Sequence, residues 1–237
     1  MLREIDTNLW VAEQPLKYFG LEVGTRMTVI RFNPSKLIVI SPIHVEETIV
    51  HQLNQLGEVA YIVAPNLYHH LFVARFKQIY SDAELCATSG LKQKIPDLPI
   101  DKIFNSEGAF QGLDGIETVE VIGFNTLDMA GYSPLNEWVF FHVESKTLII
   151  TDLAYYFDES SSPVMQLAAK LFGGYQQLRP SFMEKIATRD KVQVKQSIQK
   201  ILAWDFERVI MAHGSILEQN AKQQFKQGYE WFLGETL

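Results

Sequence analysis

The most constraining feature of the sequence is a repeated change of hydrophobic period between residues 37 and 87. Short apolar runs at 37–41 (LIVIS) and 59–65 (VAYIVAP) are typical of buried strands. Apolar side chains recur between them at helical spacing: Val45, Ile49, Leu53 and Leu56. A second helical pattern at 67–80 and a short strand pattern at 83–88 follow. This alternation of strand and helix predicts an α/β fold with some parallel strand pairing.

The rest of the chain predicts a second β-rich half. Residues 90–117 are rich in loop signals, and strand-like runs resume after them, notably at 137–143 (EWVFFHV) and 147–153 (TLIITDL). Helical patterns then dominate, one of them starting at the Ser162-Pro163 step and another at Asp190, a residue type suited to a helix N-cap. We therefore expect one domain over residues 1–237, with two sheets facing each other, helices outside them and an internal boundary near 90–117.

Composition narrows the functional classes. The chain has 21 Lys and Arg against 28 Asp and Glu, a net charge of -7, and no basic patch, which argues against nucleic-acid binding. Cys86 is the single cysteine, so no internal disulfide can form, as is usual in a reducing compartment. We find no signal-peptide core and no apolar run of about 18 residues. These features predict a cytoplasmic protein that does not enter membranes.

Four polar side chains stand where predicted buried strands end. His69 and His70 follow VAYIVAP, Asp152 follows TLIIT, and His213 follows VIMA. Ligand sites of α/β proteins gather at the carboxyl ends of strands, and imidazole with carboxylate suits Zn, Fe or Mn. Taken singly, His213 could mark an ordinary strand end and Asp152 a turn or helix cap. Together, the four predict a metal site.

The order of these residues resembles the metallo-β-lactamase fold, and more closely an uncharacterised family of metallo-β-lactamase-like proteins. The resemblance covers residues 37 to 215, most of the chain. The segments that carry it are LIVISPIHV, LGEVAYIVAPNLYHHLF, SDAELCATSGLKQKIPDL, EWVFFHVESKTLIITDL and VIMAHGS. It implies an α/β four-layer αββα sandwich, and the narrower family brings no established activity.

The resemblance also implies a reduced metal site. The superfamily corner motif is His-x-His-x-Asp-His, and laying His70 on its last histidine puts Pro65 and Leu67 on the first pair. Neither of these can bind metal, and the segment GFNTLDMAGYSP, where a further ligand is expected, has no histidine. One of the superfamily's two metal sites is therefore expected to be lost. The other would be mononuclear, with one Zn or Fe ion held by His69, His70, Asp152 and His213.

A second register remains open. Shifting the motif by one residue would place Asn66, Tyr68 and His70 on its His, His and Asp positions. In the preferred register, Asn66 and Tyr68 instead orient the ligands or the substrate. Ser41, in the segment ISP, stands where the superfamily has an Asp-Thr-Gly turn and would support the site without a carboxylate.

Two functions follow as hypotheses. The first is a metal-dependent hydrolase of a small-molecule substrate, in which Asp152 could act as a base only if the metal leaves it free. The alternative is a catalytically inactive protein that binds a small ligand or a protein partner, with no metal and with the site side chains hydrogen-bonded to each other. The sequence names neither the bond that is cleaved nor the oligomeric state.

Overall fold

The computed structural model describes residues 1–104, 113–128 and 131–237, and of residue 128 only the backbone. The strands are β1 (Arg3–Asp6), β2 (Leu9–Gln14), β3 (Lys17–Tyr18), β4 (Leu21–Glu22), β5 (Thr25–Asn33), β6 (Lys36–Ile40), β7 (Glu58–Ala64), β8 (Glu84–Ala87), β9 (Lys102–Ile103), β10 (Ile116–Val121), β11 (Asn125–Asp128), β12 (Gly131–Pro134), β13 (Glu137–His142), β14 (Thr147–Ile149) and β15 (Arg208–Ile210). The helices are α1 (Glu47–Leu56), α2 (Val73–Ile79), α3 (Leu91–Lys94), α4 (Pro163–Phe172), α5 (Phe182–Ala187), α6 (Lys191–Leu202) and α7 (Ala221–Leu233).

The strands form two main sheets and two short hairpins. The first sheet has the order β1-β2-β5-β6-β7-β8-β9, antiparallel up to β6 and parallel from β6 to β9. Parallel neighbours need a crossover, and α1 and α2 provide the first two. The second sheet has the order β10-β13-β14-β15, in which only β14 and β15 pair in parallel. The small hairpins are β3-β4 and β11-β12.

Three apolar clusters show how the layers stack. One lies between the sheets and joins β6 and β7 of the first sheet to β13 and β14 of the second through side chains such as Ile38, Val63, Phe140 and Ile149. A second packs the outer face of the first sheet against α1 and α2. A third packs the outer face of the second sheet against α6 and α7. The result is the predicted four-layer αββα sandwich, with an apolar cluster between each pair of neighbouring layers.

Two helix starts follow the sequence signals closely. Helix α4 begins at a Ser-Pro step, where the Ser162 hydroxyl accepts a hydrogen bond from the Met165 N–H. Helix α6 begins after Asp190, whose carboxylate caps the Gln193 N–H.

The second helix is shorter than its hydrophobic pattern predicts. Helix α2 begins at Val73, whereas the periodicity predicted a start near Leu67. The Asn66 side-chain carbonyl accepts hydrogen bonds from the N–H groups of Tyr68 and His69, both at 2.8 Å, and holds the chain in a turn there. His69 and His70 therefore lie on a corner between β7 and α2 rather than on a helix face.

The change from the first sheet to the second falls between Ile103 and Ile116. This interval lies within the stretch predicted as an internal boundary, of which residues 105–112 are outside the described residues. Among the residues that the structure describes, no helix has the length and apolar content that crossing a membrane requires.

Candidate metal centre

Three of the predicted ligands converge where their strands end. His69 follows β7, Asp152 follows β14 and His213 follows β15, and one ligand atom from each lies within 4.8 Å of the other two. The Nε2 atom of His69 is 3.1 Å from Asp152 Oδ2, and the Nε2 atom of His213 is 3.4 Å from Asp152 Oδ1. The two imidazole rings lie 5.2 Å apart, centre to centre. A carboxylate thus stands between two imidazoles whose Nε2 atoms both face it.

The outer nitrogen of each imidazole is held by a second group. His213 Nδ1 is 2.6 Å from the Gly24 carbonyl oxygen, and His69 Nδ1 is 2.6 Å from the Ser41 hydroxyl oxygen. Metal-binding histidines usually use their outer nitrogen in this way, which fixes the ring and leaves the inner nitrogen for the ion. Ser41 thus contacts His69, and its predicted role in supporting the site stays a prediction.

The backbone of Ser41 has an unusual conformation. It is buried and has φ of 53°, a left-handed conformation that non-glycine residues seldom adopt. Its N–H is bonded to the Val63 carbonyl oxygen, so the turn after β6 is fixed to the end of β7. Such strained conformations persist where the surrounding structure enforces them, often at functional sites.

A buried amide and a buried carboxylate hold Asp152 in place. The Asn66 Nδ2 atom lies 2.8 Å from Asp152 Oδ2 and 2.9 Å from Glu137 Oε2. Glu137 in turn accepts hydrogen bonds from the backbone N–H groups of Thr151 at 2.7 Å and Asp152 at 2.8 Å. Asn66 therefore bonds both the histidine corner and the Asp152 carboxylate, and its predicted role at the site stays a prediction.

Sequence reasoning missed Glu137. The signal was available, because a glutamate opens the uniformly apolar run EWVFFH, and a charge in a buried strand needs partners. The structure shows Glu137 with no exposed surface, at the start of β13. Its partners come from Thr151 and Asp152, just after β14, and from Asn66 at the histidine corner.

The pKa values of His69, Asp152 and Glu137 are shifted by burial and by the charges of neighbouring groups. Burial opposes charge on His69, but the nearby carboxylates of Asp152 and Glu137 outweigh it, and the pKa of His69 is raised. Burial likewise opposes charge on Asp152, yet the two histidines hold the pKa of Asp152 well below its usual range. Burial and the neighbouring Asp152 raise the pKa of Glu137. The site is thus an anionic pocket that favours a positive charge between its imidazoles.

Arg26 is a second residue that the sequence did not point to. Its buried guanidinium bonds the Glu13 carboxylate at 2.8 Å, the Gly214 carbonyl oxygen at 2.7 Å and the Met211 carbonyl oxygen. These two carbonyls flank His213 in the chain. Arg26 therefore fixes the loop that presents His213.

The structure does not bring His70 into the group of converging ligands. His70 is half-buried beside the group, where burial and the charge of Lys94 lower its pKa. The Lys94 ammonium lies 3.7 Å from the centre of the Tyr68 ring. Of the predicted site residues, Tyr68 and His70 thus lie next to the centre, and their roles as substrate contact and fourth ligand stay predictions.

Comparison with known proteins supports the fold. The sequence model of one family, described as Domain of unknown function (DUF4336), matches residues 6–184. No sequence among the curated proteins matches the chain.

Several solved structures share the fold at low sequence identity. DIM-1 metallo-β-lactamase has a TM-score of 0.67 and 14% identity, over 98% of this chain and 97% of the enzyme. The metallo-β-lactamase FIM-1 from Pseudomonas aeruginosa in its mono-zinc form has a TM-score of 0.59 and 14% identity, over 98% and 96%. The metal-soaked Flv1 flavodiiron core from Synechocystis has a TM-score of 0.62 and 13% identity, over 99% of this chain and 60% of that one. This chain therefore has the metallo-β-lactamase fold, as its sequence predicted.

Proposed function

The chain belongs to the family described as Domain of unknown function (DUF4336), and from its fold and its His69–Asp152–His213 group we propose that it is a metal-dependent hydrolase. The site would hold a single Zn or Fe ion. The substrate would be a small molecule, and the bond that is cleaved is open to screening.

One observation carries the proposal, and it concerns the proton on His213. The Gly24 carbonyl oxygen can only accept a hydrogen bond, so His213 Nδ1 must carry the hydrogen. The other nitrogen, Nε2, then points a lone pair at the Asp152 carboxylate unless it binds a second proton or a metal ion. A cation between His213 and Asp152 removes this repulsion, and the same cation would be within reach of His69.

The donor set fits such an ion. Two imidazoles and one carboxylate are the ligands of many catalytic zinc sites, which keep a fourth position open for water or substrate. When bound, the ion would activate water near neutral pH and polarise the scissile bond. The chain's own residues would hold this centre: Ser41 and Gly24 fix the imidazoles, while Asn66 and Glu137 fix the carboxylate.

Asp152 has one role in this proposal, which is that of a ligand. Its two oxygens face His69 and His213, so neither is turned towards open space as a general base would be. His70 remains next to the centre and is the imidazole that is free of these contacts. It could take the fourth position or contact the substrate, and the metal content of a His70→Ala variant distinguishes the two roles.

The experiment is a turnover assay on the full chain loaded with Zn or with Fe, using ester, thioester and phosphodiester substrates. We expect turnover that is abolished by a chelator and by His213→Ala. The matched variant His51→Ala, on an exposed turn of α1, should leave it unchanged. Metal binding without turnover of any class would contradict the hydrolase. Failure to bind metal at all would favour the alternative, a metal-free protein that binds a ligand or partner.

A further inference from the structure

Helix α4 exposes large apolar side chains as well as burying them. Its sequence, PVMQLAAKLF, buries Met165 and two alanines against the protein. The opposite face carries Val164, Leu167 and Leu171, which are 65%, 60% and 69% exposed. These three positions are spaced by three and four residues, so they lie on one side of the helix. An amphipathic surface helix is expected to present polar side chains to solvent, whereas the only polar residues of α4 are Gln166 and Lys170.

Exposed apolar side chains also lie on the elements next to α4. Strand β4 packs on α4, and the β3-β4 hairpin carries Tyr18 and Phe19, the latter 70% exposed. At the other end of the helix, a Cβ placed on Gly173 would lie 3.2 Å from Arg179 Nε, so the helix ends against the segment that leads into α5. Helix α5 again exposes apolar side chains. The whole surface, called here the α4–α5 face, consists of Tyr18, Phe19, Val164, Leu167, Leu171, Phe172, Phe182, Met183 and Ile186.

The size of this face distinguishes it from ordinary surface. Nine large apolar side chains, each with roughly half of its area exposed, present on the order of 800 Å². The largest apolar patch of a typical monomer is about 300–600 Å². A standard interface buries about 800 Å² on each partner. The α4–α5 face therefore has the area that a stable protein–protein contact requires.

Charge decides which partner fits. A peripheral membrane helix needs Lys and Arg around its apolar face, but this chain has a net charge of -7. The cations nearby are engaged within the protein: Lys170 lies over the Tyr175 ring at 4.4 Å, and Lys185 bonds the Trp231 carbonyl oxygen. Helix α4 has no acidic residue, and the one acidic residue of α5, Glu184, is buried. The β3-β4 hairpin adds one pair of opposite charge, Lys17 and Glu22, whose side chains are 3.5 Å apart. Two such faces can therefore meet without bringing unpaired carboxylates together.

We propose that the α4–α5 face is the contact surface of a homodimer, in which a second copy of the chain docks the same face. A two-fold axis brings the same patch of both subunits together, so a mainly apolar face without unpaired carboxylates can form both sides of the contact. The contact would include the β3-β4 hairpin, which leads directly to Gly24, the residue that holds His213. The proposal does not depend on bound metal or on hydrolase activity.

The test is the mass of the full chain in solution, by sedimentation equilibrium over a range of concentrations. We expect a species of twice 27.1 kDa that dissociates on dilution. The double variant Leu167→Glu, Leu171→Glu would place four unpaired carboxylates in the contact and should raise the dissociation constant at least about a hundredfold. Val143→Glu, at an exposed turn between β13 and β14, is the matched control and should leave the dimer intact.

Circular dichroism and thermal unfolding will show that both variants are folded. A wild type that stays monomeric at every concentration would overturn the proposal, and so would a dimer that survives the double substitution. Flotation with neutral phosphatidylcholine vesicles tests whether the face binds a lipid surface. A monomer that floats with them would assign the face to a lipid surface instead.

Discussion

At the scale of single residues, the centre depends on hydrogen bonds that admit only one kind of partner. Gly24 offers a carbonyl oxygen to His213, and two backbone N–H groups point at Glu137. These contacts fix protonation and orientation together, because a donor cannot replace an acceptor without leaving a buried group unpaired. Small changes of chemistry at constant shape should therefore have large effects.

Glu137→Gln is the sharpest such change. The Glu137 carboxylate accepts from Thr151 N–H, Asp152 N–H and the Asn66 amide, and a glutamine must turn an NH₂ group towards one of these donors. We expect a loss of roughly 1–3 kcal/mol in the free energy of unfolding, together with weaker metal binding. Urea denaturation and zinc titration measure the two effects. The exposed Glu58→Gln at the start of β7 should change neither. Wild-type values for Glu137→Gln in both measurements would refute its positioning role.

Gly214→Ala tests the loop that carries His213. Gly214 has φ of +81°, and an added Cβ would lie 2.2 Å from the Tyr156 carbonyl oxygen. Gly234 has the same φ of +81° at the end of α7, with nothing within 4 Å of its Cβ position. Both alanines carry the backbone cost of about 1–3 kcal/mol, but only the first also clashes. Thermal unfolding should show Gly214→Ala as clearly the less stable, and equal losses for the two would contradict the close approach.

At the scale of elements, the sequence predicted what depends on local chemistry. The strands LIVIS and VAYIVAP, the Ser-Pro start of α4 and the Asp190 cap of α6 all rest on neighbours in the chain, and the structure confirms them. The predicted start of α2 near Leu67 was wrong because the Asn66 side chain accepts hydrogen bonds from the backbone N–H groups of Tyr68 and His69. Hydrophobic periodicity carries no information about such a bond. Strands β3 and β4 have two residues each, too short for any period to appear.

The buried Glu184 in the capping box of α5 predicts that the stability of the fold depends on pH. Its capping box joins the Ser181 N–H to the Glu184 carboxylate at 2.7 Å, and burial raises the pKa of Glu184 to about 7 from its ordinary value of 4.5. Because the folded pKa lies above the unfolded one, the folded state favours the protonated form. The stability that this gives is complete below about pH 4.5 and is lost as the pH rises towards 7.

Glu184→Gln keeps a capping-box acceptor without a charge. We expect its stability relative to wild type to improve between pH 5 and pH 8 by up to roughly 3 kcal/mol. Denaturant unfolding at each pH measures this difference. Glu58→Gln again controls for the loss of one negative charge. A Glu184→Gln difference that does not vary with pH would show that the carboxyl group is not held protonated by burial.

At the scale of the whole molecule, the site could be predicted only in part. His69, Asp152 and His213 stand at strand ends, and the fold brings strand ends together, so their convergence follows from topology. His70 has the same sequence context as His69, yet the turn set by Asn66 sends only one of the two into the group. Glu137 and Arg26 reach the site through contacts across 15 and more than 180 residues of chain, which no local pattern contains.

The proposed hydrolase depends on a centre in which His69, Asp152 and His213 hold a single metal ion. The direct measurement is elemental analysis of the full chain after dialysis against Zn or Fe, beside the variants His69→Ala with His213→Ala, and His70→Ala alone. We predict about one equivalent of metal in the wild type, retention in His70→Ala and loss in the double variant. A wild type that takes up no metal, or a folded double variant that binds as much as the wild type, would contradict the claim.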